Sequence, residues 1–219
     1  SSDTGPSVYL LPGGGGDTTA AVVAVKYNAN SNAILGSPRF APTGSLILYH
    51  TDSLSSGVPL PWIRDAGNLA SAPYRLVPAG QEIGNTYWNG NWSGVGDSIV
   101  LESYRFFNST GQIRRGLFKL KGAFNANPTP YTAWLNDSSA AEPDWSADGQ
   151  FIVFTRKAPG RNDRDLYIIR AGSSDKTTAV QVTRGPADDT RPRFSSDGST
   201  IFFISDRADR YGLNGVTTT

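Results

Sequence analysis

The chain has 219 residues, a formal net charge of +1, 38% hydrophobic residues and no Cys. That balance excludes a disulfide framework, a thiolate metal site and a cysteine nucleophile, and it gives no global pull toward nucleic acid or a membrane surface. No run reaches the ~18 apolar residues of a transmembrane segment, and the absence of Met leads us to expect a mature or excised product.

Taken in order, the chain reads as short strands. Residues 7–11 (Ser-Val-Tyr-Leu-Leu) and 20–25 (Ala-Ala-Val-Val-Ala-Val) flank the run Gly13 to Gly16, which lacks the following Lys-Ser/Thr of a phosphate loop and is read as a strand connection. Pro38-Arg39-Phe40-Ala41-Pro42-Thr43-Gly44 then leads into the apolar run 46–49, with further strands at 60–64 and 74–77. Trp92-Ser93-Gly94-Val95-Gly96 leads into 99–101, followed by strands at 116–120 and 131–135. Pro143-Asp144-Trp145-Ser146-Ala147-Asp148-Gly149 leads into 151–154, then 165–169 and 180–183. Pro192-Arg193-Phe194-Ser195-Ser196-Asp197-Gly198 leads into 201–204.

These are four copies of one phrase, their aromatics Phe40, Trp92, Trp145 and Phe194 lying 52, 53 and 49 residues apart. A period near fifty with several short strands per unit points to a radial or stacked repeat. In each copy the aromatic is read as a buried anchor, the glycine as the positive-φ residue of a hairpin turn, and the apolar run as a strand buried on both faces. Four strands per unit is the count of a propeller blade.

Pro-x-aromatic-Ser-x-Asp-Gly, the apolar strand after it and Ser205-Asp206-Arg207 together resemble the TolB-like propeller repeat, a relative of the WD-repeat. The segment from Thr183 to Pro192 resembles that family's connection between blades. The match is specific over about residues 142–207, whereas the copies at Phe40 and Trp92 lack the turn Asp and rest on spacing and strand order.

The expected fold is therefore an all-β propeller filling residues 1–219 as one domain, with units near 38–80, 91–137, 142–184 and 191–207 plus 7–25. We expect four blades, the last closed by residues 7–11 pairing beside 200–205. The alternative is part of a six-bladed propeller, six being the blade number the resemblance implies. The C-terminal stretch 214–219 aligns with the strand that starts at Asp165 and competes for the slot beside 200–205.

Three places were weighed for chemistry. His50 is the only histidine; Asp52 with Ser53 or Ser55 could be imagined as its partners, but the repeat puts it level with Thr155 and Ile204, strand-end positions, and we read it as structural. Asn162-Asp163-Arg164-Asp165 and Asp188-Asp189 supply hard oxygen ligands without the spacing of a calcium loop, which leaves no cofactor beyond a structural calcium ion on the ring axis. No Gly-x-Ser-x-Gly elbow occurs.

Residues 85–92 interleave aromatics with Asn, the composition of a glycan platform or a protein hot spot. Trp92 is claimed by the repeat, so Tyr87 and Trp88 are the candidate binding residues there. Charge gathers in residues 111–219, which hold fifteen Lys/Arg and twelve Asp/Glu against five and seven before them. Arg161 and Arg164, in the charged turn from Lys157, are the candidates for an acidic partner.

The expectation on function is a non-catalytic protein-binding or scaffold module, not an enzyme. The resemblance implies protein partners, a membrane-bound or envelope assembly, a periplasmic or extracellular location and no nucleic acid. The alternative is a glycan-binding or glycan-hydrolysing propeller.

Overall fold

The computed structural model describes residues 7–11, 21–25, 36–51, 60–76, 85–106, 113–121, 133–135, 137–157, 160–207 and 212–217. Among them the chain forms antiparallel strands and one turn of 3-10 helix, Lys176–Thr178. A hairpin of β1 (Val8–Leu10) and β2 (Val22–Val25) comes first. Four larger sheets follow, each laid down in chain order. The first holds β3 (Gly36–Phe40), β4 (Leu46–Thr51), β5 (Leu60–Asp65) and β6 (Tyr74–Arg75). The second holds β7 (Asn85–Trp92), β8 (Ser98–Phe106), β9 (Ile113–Lys121) and β10 (Ala133–Leu135). The third holds β11 (Ala141–Trp145), β12 (Phe151–Lys157), β13 (Arg164–Arg170) and β14 (Val180–Gln181). The last holds β15 (Asp189–Phe194), β16 (Thr200–Ser205) and β17 (Gly212–Thr217).

The repeated phrase builds the first hairpin of each sheet. Gly44, Gly96, Gly149 and Gly198 sit at φ 73–74°, the conformation their turns require of a residue without Cβ. The Ser-x-Asp pair then locks the turn. Asp148 Oδ1 accepts from Ser146 Oγ at 2.5 Å and from Gln150 N–H at 2.9 Å, and Asp197 repeats this with Ser195 Oγ and Ser199 N–H. These bonds hold both carboxyls below the ordinary range, Asp197 at about 2.

Three of the four aromatics close the seam toward the sheet before their own. Trp92 packs with Ile47, Leu48 and Ile63 of the first sheet, and its Nε1–H donates to Arg39 O at 3.2 Å. Trp145 packs with Val100, Leu117 and Leu135 of the second, and Phe194, half-buried where a buried anchor was expected, rests against a cluster of Val153 and Leu166 of the third. Phe40 departs from the expected burial and is 54% exposed, because the sheet before it is the β1–β2 hairpin, whose Val8 and Ala24 join the same core as Ala41 and Ile47 without covering Phe40. The reading of strands buried on both faces holds for β4 and β12. It fails for β16, where Phe202 and Ile204 face outward at 43% exposure while Ile201 and Phe203 pack inward.

The expected closure is also corrected. β17 pairs with β16, Ile201 opposite Val216, and thereby fills the slot foreseen for residues 7–11, while β1 pairs with β2. Chain connectivity favours this outcome. A strand that follows β16 within a few residues closes a short loop, whereas the N-terminal strand would close one spanning nearly the whole chain.

The turns of neighbouring sheets also touch. A Cβ on Gly94 would stand 1.7 Å from Ala147 O, so the two turns meet backbone to backbone. Gly94→Ala is expected to cost about 1–3 kcal/mol through overpacking. An unchanged urea midpoint would show that the second and third sheets do not approach this closely.

Candidate functional site

The first strand of each sheet contacts the first strand of the next, β3 with β7, β7 with β11 and β11 with β15. These inner strands share a distortion. Pairing slips between Gly36 and Arg39, Trp88 and Asn91, Ala141 and Asp144, and Thr190 and Arg193, in each case just before the repeated aromatic. Asn89, Glu142 and Arg191, three residues before their aromatics, take φ of 49°, 52° and 52°. Non-glycine residues rarely occupy this region, and bulges of this kind re-aim side chains.

Two polar layers result. In the first, Glu102 Oε2 accepts from Asn89 Nδ2 and from Glu142 N–H, both at 3.2 Å, and Glu142 Oε2 accepts from Arg191 N–H at 2.9 Å. One carboxylate after another ties the bulges of the second, third and last sheets.

The second layer is the residue immediately before each aromatic: Arg39, Asn91, Asp144 and Arg193. Asp144 is buried, and each of its oxygens accepts a bond: Oδ1 from Asn91 Nδ2, and Oδ2 from Phe194 N–H at 2.7 Å. Burial raises its pKa, opposed by those amide donors and by the charges of Arg193 and Arg39. Arg193 is lowered by burial, with Asp144 opposing and the like charge of Arg39 adding to the depression. Its one hydrogen bond among the described residues runs from Nη1 to Pro192 O at 2.7 Å, and the Arg39 guanidinium makes no hydrogen bond or ion pair to a described residue. Arg193 and Arg39 thus act on Asp144 through charge, without a hydrogen bond or ion pair to it.

The residues singled out from sequence lie elsewhere. Tyr87 and Trp88 fall in β7, paired with Ser103 and Glu102; their side chains lie outside the described residues. Arg161 and Arg164 are held by the chain's own acceptors. Arg161 Nη2 donates to Asp163 and to Gly185 O, and Arg164 grips Asp188 through Nε at 2.9 Å and Nη2 at 2.6 Å. His50 is 2% exposed, its pKa pushed down to about 4 by burial. Among the described residues no three His, Cys, Asp or Glu side chains gather as a metal site. A shallow cleft of about 420 Å³ beside Phe151, Ile169 and Val180 has Arg170 as its charged group, stacked 5.3 Å over Phe151.

The inner layer escaped the sequence reading because its four members differ in type. The signal was there: a polar residue stands before the anchor in every copy, at a position the fold places next to the neighbouring sheets.

Sheets in chain order with inner strands in contact, and one short phrase recurring about every fifty residues, are features of a propeller, and solved structures support a TolB-like propeller fold. No family model matches the chain, and no curated protein does. Solved structures do. TolB from Acinetobacter baumannii is similar over 97% of this chain and 46% of its own, at 18% identity and a TM-score of 0.66. A putative TolB from Agrobacterium tumefaciens is similar over 91% of this chain and 62% of its own, at 16% identity and 0.66. A puromycin-hydrolyzing peptidase from Mycobacterium tuberculosis is similar over 97% of this chain and 34% of its own, at 16% identity and 0.66. The chain therefore spans between about a third and two thirds of the length of these structures, and at such identities the likeness establishes the fold alone.

Prolyl endopeptidases and oligogalacturonate lyases share the fold as well. This corrects the functional expectation: a fold carried by peptidases and lyases does not mark the chain as a non-catalytic scaffold, nor does it single out the glycan alternative. The described residues contain no helix long and apolar enough to cross a membrane.

Proposed function

We propose that the four larger sheets are blades of one propeller and that the chain recognises a ligand where their inner strands meet, in the layer of Arg39, Asn91, Asp144 and Arg193. The observation that carries this reading is the meeting of three sheets at the buried carboxylate of Asp144, which accepts from Asn91 Nδ2 of the second sheet and from Phe194 N–H of the last. An extracytoplasmic location, implied by the resemblance, belongs to the same proposal.

The test is an unbiased fragment screen followed by amide NMR. Hits are expected to shift the signals of residues 89–92, 142–145 and 191–194 together. Hits confined to the charged turn at 160–164, or to the cleft beside Phe151, would move the functional surface away from the inner strands.

A further inference from the structure

The face of the first sheet that meets the β1–β2 hairpin departs from the repeat. We infer that Tyr49, Trp62 and Arg64 form the seat of a carboxylate on a small apolar ligand there, a site separate from the inner-strand layer.

The departure is seen by comparing the first and third sheets, whose anchors Phe40 and Trp145 lie 105 residues apart. On that register Tyr49 stands where the third sheet has Phe154, Trp62 where it has Tyr167, and Arg64 where it has Ile169. The strand pairing agrees. Tyr49 lies opposite Trp62 and Ile47 opposite Arg64, as Phe154 lies opposite Tyr167 and Ile152 opposite Ile169. Directly opposed residues project from one face, as do residues two apart on one strand, so the three side chains share a face. In the third sheet this face packs on Val100, Leu117 and Leu135 of the sheet before. In the first sheet it carries more polar groups, and the described residues before it form a two-stranded hairpin whose Val8 and Ala24 join its core.

Those groups are donors without an acceptor. Tyr49 is 0% exposed and Trp62 9%, yet Tyr49 Oη and Trp62 Nε1 are buried without a hydrogen-bond partner, as is Arg64 Nε. Arg64 reaches Leu69 O through Nη2, which anchors the guanidinium and leaves Nε unspent. An indole N–H and a guanidinium N–H can only donate. Burial pushes the Tyr49 hydroxyl up to about 12, opposed by the charge of Arg64, so it too carries its proton at neutral pH. Buried donors with nothing to accept from them cost stability, and three on one face make a place for an acceptor. Charge decides its kind. Arg75, opposite Trp62, adds a second cation to this face. Asp65 is the acid among the described residues of the first sheet, and strand alternation turns it to the other face, where its Oδ1 accepts from Gly67 and Asn68 N–H. An oxyanion therefore fits. Ile47, Leu60 and Leu76 are buried in the same core and suit a carboxylate with an apolar body better than a phosphate. Arg64 and Arg75 are half-buried and connect the face with solvent.

The probe is benzoate, titrated against chloride at constant ionic strength with the 219-residue chain, reading indole and arginine N–H signals by NMR. The Trp62 indole and Arg64 Nε–H signals are expected to move together and saturably, with acetate and inorganic phosphate binding more weakly. Tyr49→Phe removes a hydroxyl that has no hydrogen bond to lose, so the fold is kept, and it should weaken benzoate about tenfold. Arg64→Gln should weaken it too, but it also removes the bond to Leu69 O, so Tyr49→Phe decides the matter. Arg170→Gln, in the third sheet, should leave the affinity unchanged. Shifts that run linearly and equal those of chloride, as ordered water alone at these donors would give, would overturn the seat. So would a Tyr49→Phe affinity equal to the parent's. Benzamide binding as tightly as benzoate would show that the ligand's charge is not read, and phosphate binding more tightly than benzoate would sink the carboxylate.

Discussion

Replacing Trp145 by Ala is expected to lower stability by about 3–5 kcal/mol, the cost of emptying a large aromatic site in a packed core. Trp145 is 8% exposed and belongs to the cluster joining Val100, Leu117 and Leu135 of the second sheet to Ile152 and Phe154 of the third. Its polar handle is satisfied, since Nε1–H donates to Gly149 O at 2.9 Å, so truncation also leaves a turn carbonyl without its donor. The loss therefore falls on the seam between two sheets and on the turn that starts the third. The paired control is Phe40→Ala. Phe40 holds the same place in the repeat but is 54% exposed, and its truncation is expected to cost less than about 1 kcal/mol. Urea midpoints of the two variants, measured side by side, check the claim. Equal losses would show that the anchors act within their own sheets and not between neighbours.

That contrast also shows what the sequence could tell. The anchor's identity, its spacing and its turn were legible because each is a local pattern: a large aromatic, then Ser-x-Asp-Gly, then an apolar run. Burial of the anchor was not, since it depends on the preceding sheet, and before Phe40 the described residues form a two-stranded hairpin. The same limit applies to Phe202 and Ile204, apolar residues in the right phase whose outer face meets no other sheet among the described residues. β17 was visible only as a competitor, because two segments carried compatible patterns and connectivity chose between them. The inner bulges were hidden for a different reason. Glycine usually announces positive φ, but here Asn89, Glu142 and Arg191 adopt it, Asn89 bonded to Glu102 of its own sheet and the other two held by carboxylates of the sheet before. Arg161 and Arg164 stand in the sequence as a charged turn, and the fold supplies Asp163, Gly185 and Asp188, up to 24 residues away, as their partners. The site proposed here lies in residues that single-copy patterns ignore and that alignment of the copies brings together.

Acidification is expected to destabilise the protein through His50. The ring lies at the end of β4, 2% exposed, and a Cβ on Gly90 of β7 would stand 3.2 Å from its Cε1, so the inner strand of the next sheet presses close upon it. Its Nε2 is buried without a hydrogen-bond partner. Burial lowers the folded-state pKa from 6.5 to about 4. The folded state therefore holds His50 neutral while the unfolded chain binds a proton below about pH 6.5. Stability from this residue is fully present above that value and is lost as pH falls toward 4, by up to about 3 kcal/mol. Asp144 does not mimic the loss. Its raised pKa acts in the opposite direction, favouring the folded state when the carboxyl is protonated. Asp148 and Asp197, with lowered pKa values, add their losses only below the ordinary carboxylate range. His50→Leu removes the titrating group and the orphaned nitrogen together, an exchange for an apolar side chain that is close to neutral in stability when shape is kept. The variant should match the parent at pH 7.5 and exceed it at pH 4.5. Urea midpoints at pH 7.5, 5.5 and 4.5 read the difference, and a variant with the parent's full slope between 6.5 and 4.5 would show that His50 is not the group that titrates.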